Sequence, residues 1–312
     1  MKFSHSELMD ALAARHGVIA ELIGVRDVHY VDIPVHGNVG DLLIMLGTLE
    51  FFKRHRIEPK IKAGFYNYSA RWAKESDVIV FHGGGNLGDI YSRPQAKREE
   101  IISQLRGNRI IILPQTIHFS QQENFERALK IFRGHSDLHI FARDNLSYEI
   151  ARQMTDNAYL APDMAHNLWR TQHFSDHKSS TADRLLVFAR SDEEIGIENI
   201  RDQAAVDWPD IVGKRREAMI LWFYRVGKLL HLMKLDRFIV GPQMKIWERF
   251  AWTLTLDALA LFNSHDRVVT DRLHGHILSC LLSIRNRVVD NSYGKNFSYL
   301  NCWTIRSNIV GN

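Results

Sequence analysis

Short β-branched runs and helical stretches take turns along almost the whole of this 312-residue chain. In the first half, strand-like runs fall at 28–33, 60–65, 77–81, 109–113, 138–142 and 158–160, with helical stretches such as 41–55, 94–105, 121–132 and 145–154 between them. Strand, helix, strand in succession is a βαβ unit, and a string of such units builds a parallel sheet covered by helices on both faces. The pattern dissolves at 171–183, where three Ser, two Thr and two His make a polar linker candidate. It then resumes, with strands predicted at 185–189, 237–240, 267–270 and 287–290, a long helix from about 214, and helices at 245–262 and 275–283. The chain exceeds the size at which one core keeps growing, so two α/β domains are expected, 1–172 and 173–312. The segment 191–212, with Asp192, Glu193, Glu194 and the Trp208-Pro209 step, reads as irregular and as a candidate mobile loop. The aromatic tail 297–303 is too apolar for solvent and is expected to pack back onto a domain.

Composition removes several classes. The formal charge is +4, with Lys and Arg interleaved among acids, so nucleic acid is not demanded as a partner. Cys280 and Cys302 show no Cys-x-x-Cys spacing, and the sixteen histidines form no His-Glu-x-x-His pattern, so neither a disulfide framework nor a metal site is implied. A reducing, cytoplasmic location fits. The N-terminus lacks the apolar core of a signal peptide and no 18 apolar residues run uninterrupted, which predicts a soluble chain. The stretch 214–232, rich in Lys, Arg, Trp and Phe, has two readings: ordinary packing against a domain, or rest against a membrane surface.

Several charged or glycine-rich clusters sit where strands end, the edge at which open parallel sheets bind ligands. Val268-Val269-Thr270 breaks into Asp271, Arg272, Leu273, His274, Gly275 and His276 before a helical pattern, so strand-end cations and a helix N-terminus would converge on an anion. An internal pairing of Arg272 with a structural carboxylate is the alternative. His36-Gly37-Asn38-Val39-Gly40-Asp41 opens another helix, with Asp41 either a plain cap or an acid. Gly83, Gly85 and Gly88 satisfy the Gly-x-Gly-x-x-Gly spacing, yet the next strand ends in Pro114-Gln115-Thr116 with no acid for a ribose, which argues against NAD. The same His82-Gly83-Gly84-Gly85 string suits an esterase oxyanion loop, but no Gly-x-Ser-x-Gly elbow exists. A backbone nest for phosphate, carboxylate or sugar hydroxyl remains. Arg143, beside Asp144, could fork onto a carboxylate or pair internally with Asp144 or Asp163. Lys295, next to the turn residue Gly294, offers a point charge or is a solvated lysine.

Taken together, Gly37-Asn38-Val39-Gly40-Asp41, Gly83-Gly84-Gly85-Asn86, Arg143-Asp144, Pro162-Asp163, Arg272-Leu273-His274-Gly275 and the segment 289–296 with Lys295 resemble the polysaccharide pyruvyl transferase family in order and spacing. Pro162-Asp163-Met164-Ala165 departs from that family's usual Asp-Pro-Ala order. The resemblance implies two Rossmann-like domains facing across a cleft, as in GT-B glycosyltransferases, and transfer of an enolpyruvyl unit from phosphoenolpyruvate to a saccharide as a pyruvate ketal. It implies no metal or further cofactor, and an acceptor carried on a lipid or nucleotide, at the cytosolic membrane face. On that reading Arg143, Arg272, Leu273 and Lys295 bind the donor, with Arg272 and Lys295 on its phosphate and Arg143 on its carboxylate. His274 and Asp41 share the proton transfers, and Asn38, Gly40, Gly83, Gly84, Gly85 and Asn86 form acceptor or anion loops. Tyr66, Tyr68, Trp72 and Tyr91 could stack on sugar faces or simply pack. A nucleotide-sugar glycosyltransferase and a noncatalytic glycan-binding protein are the competing readings.

Overall fold

A computed structural model of the chain describes residues 4–174, 183–191, 200, 204–290 and 294–311. The larger sheet contains β1 (Val28–Val31), β2 (Pro59–Lys62), β3 (Val78–Phe81), β4 (Gly84–Gly88), β5 (Ile110–His118), β6 (Leu138–Ala142) and β7 (Asn157–Leu160). These seven strands are all parallel, in the order β2-β1-β3-β5-β6-β7, and β4 continues past β3 along β5. Every residue of β1, β3 and β6 is buried, as strands covered on both faces must be. The chain goes from β1 outward to β2 and then returns to β3 on the other side of β1. That reversal opens a crevice at the carboxyl ends of β1 and β3.

The helices of this half are α1 (His5–Ala14), α2 (Gly17–Ile23), α3 (Val39–Arg54), α4 (Ser92–Gln104), α5 (Gln122–Arg133) and α6 (Asn145–Met154). The smaller sheet, β8 (Leu185–Phe188), β9 (Arg267–Thr270), β10 (Arg285–Val288) and β11 (Val310–Gly311), is also parallel, in the order β11-β10-β9-β8. With it come α7 (Trp208–Leu232), α8 (Asp236–Asn263), α9 (Leu273–Leu281) and α10 (Lys295–Trp303).

The apolar core is continuous between the two sheets. Helix α3 is apolar almost all round, which suits an element buried between layers. The chain ends interlock as well: from α1, His5 bonds Ser307 Oγ at 2.9 Å and the Cys280 carbonyl at 2.7 Å. In the other direction, Trp303 of α10 donates to the Arg143 carbonyl at 2.8 Å, so the aromatic tail does pack back, as a helix against the larger sheet's half.

Two sequence expectations are corrected. Residues 237–240 are not a strand; they open α8, because Val240, Met244, Trp247, Ala251, Leu254 and Ala258 are buried at helical spacing and their packing outweighs local β propensity. The irregular segment ends earlier than 212, since Asp207 caps α7 and Pro209 occupies its first turn, where a missing N–H does no harm. The glycine run, for which the sequence argued against a dinucleotide loop, forms β4. Much of the linker and loop candidates, at 175–182, 192–199 and 201–203, lies outside the described residues.

Buried histidines give the fold a pH dependence. Burial pushes His82 and His166 down to about 3 and His276 to about 4, so all three stay neutral in the native state. Below the ordinary value of 6.5 the unfolded chain binds protons that the native chain refuses, and stability falls with pH. Thermal unfolding at pH 5 should therefore occur well below its temperature at pH 7, with about 2 kcal/mol lost per histidine. Replacing His276 with Gln should flatten that slope measurably.

Candidate active site

A cavity of about 360 Å³ lies at the carboxyl ends of β1 and β3, and its wall includes Arg190, Trp208, Arg272, Leu273, His274 and Lys295 from the second half. Ten of the twelve sequence-predicted residues line it: Asn38, Asp41, Gly83, Gly85, Asn86, Arg143, Arg272, Leu273, His274 and Lys295. Gly40 and Gly84 stand just behind. Asn38, rather than Asp41, caps α3, accepting from the Gly40 N–H at 3.1 Å. Asp41 falls in the first helical turn, where the Asn38 amide donates to it at 2.9 Å and His36 lies 3.6 Å away. Its carboxylate is thereby aimed into the cavity from a helix end that favours negative charge.

Behind the wall formed by Arg143 and His274 is Asp163, fully buried in the turn after β7. Arg143 donates from Nη1 to Asp163 Oδ2 at 2.7 Å and from Nε to Thr116 Oγ1 at 2.9 Å. His274 Nε2 meets the same Oδ2 at 3.3 Å. Burial pushes the Asp163 carboxyl up, but His274, Arg143 and the Ala165 N–H overcome that and hold it well below the usual carboxylate range. The internal pairing considered for Arg143 is thus real, and it ties the end of β6 to α9. Tyr299 of α10 secures the same turn, accepting the Asp163 N–H at 3.2 Å and bonding His166 at 2.7 Å.

Two glycines make room for these groups. A Cβ on Gly40 would stand 2.7 Å from His274 Nδ1, and one on Gly85 would stand 3.1 Å from Arg143 Nη2. Side chains there would displace the imidazole and the guanidinium from the wall.

Arg272 also has a carboxylate partner. Its Nε and Nη2 grip Asp207 in a fork, with Nη2 to Oδ2 at 2.7 Å. Burial raises the Asp207 carboxyl, and the hydrogen bonds and charge of Arg272, with Ser191 and the Trp208 N–H, bring it below its ordinary value. The fork fixes the guanidinium plane at the cavity wall. Helix α9 starts at Leu273, so His274 occupies its first turn. Lys295 opens α10 after Gly294 (φ +80°), and its neighbour Asn296 donates to the Val289 carbonyl at 2.9 Å.

Sequence reasoning missed four contributors and saw only part of the role of a fifth. Asp32 and Arg190 follow β1 and β8, so the strand-end rule applied to Arg143 and Arg272 could have found them. Asp32 sits at φ +64°, buried against Arg98 at 2.7 Å, and burial raises its carboxyl despite that guanidinium. Arg190 lines the cavity, its backbone N–H on Asp271 at 2.8 Å. His82 was visible only as part of a glycine string; it is buried, its Nδ1 on the Tyr30 hydroxyl at 2.6 Å and its Nε2 without a partner among the described residues. Asp163 was weighed as an internal partner of Arg143 but not of His274, and Asp207 carries locally only the signal of a helix cap, with none for its pairing to Arg272. Of the possible sugar-stacking rings, Tyr91 lines the cavity, whereas Tyr68 is buried on His29 and Trp72. Among the described residues no three His, Cys, Asp or Glu side chains gather as a metal site requires.

The parallel-sheet crevice brings together several cations and a histidine–carboxylate pair, and sequence relationships say which family the chain falls in. The polysaccharide pyruvyl transferase profile matches residues 38–293. EpsO of Bacillus subtilis (strain 168) is 36% identical over 285 residues, 89% of this chain and 85% of its own. Pyruvyl transferase 1 of Schizosaccharomyces pombe is 29% identical over 296 residues, 90% of this chain and 70% of that protein. The chain belongs to the polysaccharide pyruvyl transferase family. In fold it matches a crystal structure of a functionally uncharacterized Klebsiella pneumoniae protein, with TM-score 0.66 at 21% identity over 97% of both chains.

Substitutions should separate geometry from stability. Asp163→Asn leaves Arg143 and His274 without their shared counter-charge, and calorimetry should find a loss of about 3–5 kcal/mol, typical for breaking a buried pair. Gly40→Ala should lose stability, though less than Asp163→Asn, since its Cβ would push against His274 at under 3 Å while helix propensity returns up to about 1 kcal/mol. Its turnover should also fall at least about tenfold, the effect of displacing a side chain of the cavity wall.

Proposed function

We propose that the cavity binds phosphoenolpyruvate and that the protein transfers its pyruvyl unit to a saccharide of an exopolysaccharide or capsule precursor, forming a ketal. The observation that carries this reading is the gathering of Arg143, Arg190, Arg272, Lys295 and His274 around one cavity that also holds Asp41. Phosphoenolpyruvate carries about three negative charges at neutral pH, and such a cluster supplies matching charge in a partly desolvated site. On this account the two sheets belong to two Rossmann-like domains in a GT-B-like arrangement, the donor lying against the second and the sugar against the first.

Arg272 and Lys295 hold the phosphate, helped by the N–H groups that open α9, and Arg143 takes the carboxylate. A proton delivered to the methylene carbon makes the neighbouring carbon cationic, and one sugar hydroxyl attacks it, losing its proton. The C–O bond to phosphate then breaks, and the second hydroxyl closes the ketal and gives up its proton to the departing phosphate. His274 and Asp41 carry these protons between them. An imidazole suits this work near neutral pH, and Asp163 keeps it oriented. The acceptor is a saccharide carried on a lipid or nucleotide, met at the cytosolic face of the membrane.

Isothermal titration of phosphoenolpyruvate into the wild type and Arg272→Ala, at low salt, tests the donor assignment. Saturable binding to the wild type that is lost in the variant is the expected result. Absence of binding to either folded protein, while a nucleotide sugar does bind, would overturn the assignment in favour of glycosyl transfer.

A further inference from the structure

Nine of the fifteen exposed large hydrophobic side chains among the described residues lie between positions 219 and 256, on α7, α8 and their connection. Met219, Trp222, Leu229 and Met233 fall on one stripe at helical spacing and are each more than half exposed. Exposed Lys214, Arg225 and Lys228 flank the stripe on α7, and Lys245 and Arg249 flank exposed Ile246 on α8. Between the helices an apolar groove of about 400 Å³ is lined by Met219, Trp222, Phe223, Ile246, Trp247 and Phe250. Residues 214–249 hold nine Lys and Arg against three Asp and Glu, a net of +6 in a chain whose whole charge is +4. The rest of the chain is therefore slightly acidic by sequence, and Lys214, Arg225, Lys228, Lys245 and Arg249 of this segment are exposed.

An apolar stripe with an indole and a cationic border is how a helix lies in a bilayer interface. No helix among the described residues is long and apolar enough to cross a membrane, so contact would be with the surface. A two-fold dimer through this face would set its exposed cations against those of its own copy, whereas an anionic surface complements them. We propose that the α7–α8 face docks on an anionic lipid bilayer, with Trp222, Leu229 and Met233 entering the headgroup boundary and Arg225, Lys228, Lys245 and Arg249 meeting lipid phosphates.

The inner side of α7 abuts the active cavity. Tyr224 packs on Phe65, a cavity-lining residue, and on Tyr66, with ring centroids 6.4 and 4.5 Å apart, and Trp208 at the start of the helix is part of the cavity wall. Docking holds the cavity beside the bilayer. This deepens the membrane-face location proposed above and is independent of which donor is used.

Flotation of the full chain with phosphatidylcholine vesicles, and with vesicles that also contain phosphatidylglycerol, tests the proposal. Binding is expected only to the anionic vesicles and should weaken as salt rises. Arg225→Ala with Lys228→Ala should reduce it about twenty-five-fold, roughly fivefold per cation removed. Trp222→Ser with Leu229→Ser should abolish it while circular dichroism and phosphoenolpyruvate titration stay as in the wild type. Equal binding to both vesicles, no binding to either, or unchanged binding by the variants would overturn the proposal. So would a wild-type dimer by light scattering that the Trp222 and Leu229 variant converts to monomer. Loss of the donor reading would look different, with vesicle binding intact and phosphoenolpyruvate ignored.

Discussion

A single buried carboxylate holds the site together. Asp163 receives Arg143 from the end of β6 and His274 from the first turn of α9, so one side chain joins groups that are 131 positions apart and belong to different sheets. A carboxylate without solvent is unfavourable unless it is fully paired. Here the pairing comes from two cation-forming groups and a backbone N–H, and burial strengthens each contact. The surrounding architecture serves that pairing: Tyr299 and Trp303 of α10 clasp the Asp163 turn and the Arg143 carbonyl, and Gly40 lets the imidazole approach α3.

Arg272 and Asp207 repeat the principle on the opposite wall. Each arginine of the cavity that has a carboxylate partner is oriented by it before any ligand arrives, which reduces the ordering needed on binding. Orientation has an electrostatic consequence, since a paired guanidinium attracts an anion less than a lone one. A ligand with several negative charges also meets Arg190, Lys295 and the N-terminus of α9 at the same cavity.

Much of this was legible because parallel sheets put chemistry at strand ends, and cations there interrupt apolar runs visibly. Arg143 and Arg272 were found that way; Asp32 and Arg190 obey the same rule but lacked a neighbouring motif to draw notice. The run 237–240 shows the opposite case. Its Ile239 and Val240 look like a strand over four residues, while the burial of Val240, Met244 and Trp247 reveals a helix only over a longer window. The β4 strand was hidden by its glycines, which carry no β propensity and are held by the edge of β5. Asp207 could not be read locally, because its meaning comes from a guanidinium 65 positions away.

The most direct test of the account is a crystal structure of the protein soaked with phosphoenolpyruvate. The account predicts the donor's phosphate against Arg272 and Lys295, its carboxylate on the Arg143 guanidinium, and the His274–Asp163 contact retained beneath the reacting carbons. A donor bound elsewhere, or bound in the cavity with Asp163 turned away from both Arg143 and His274, would contradict it.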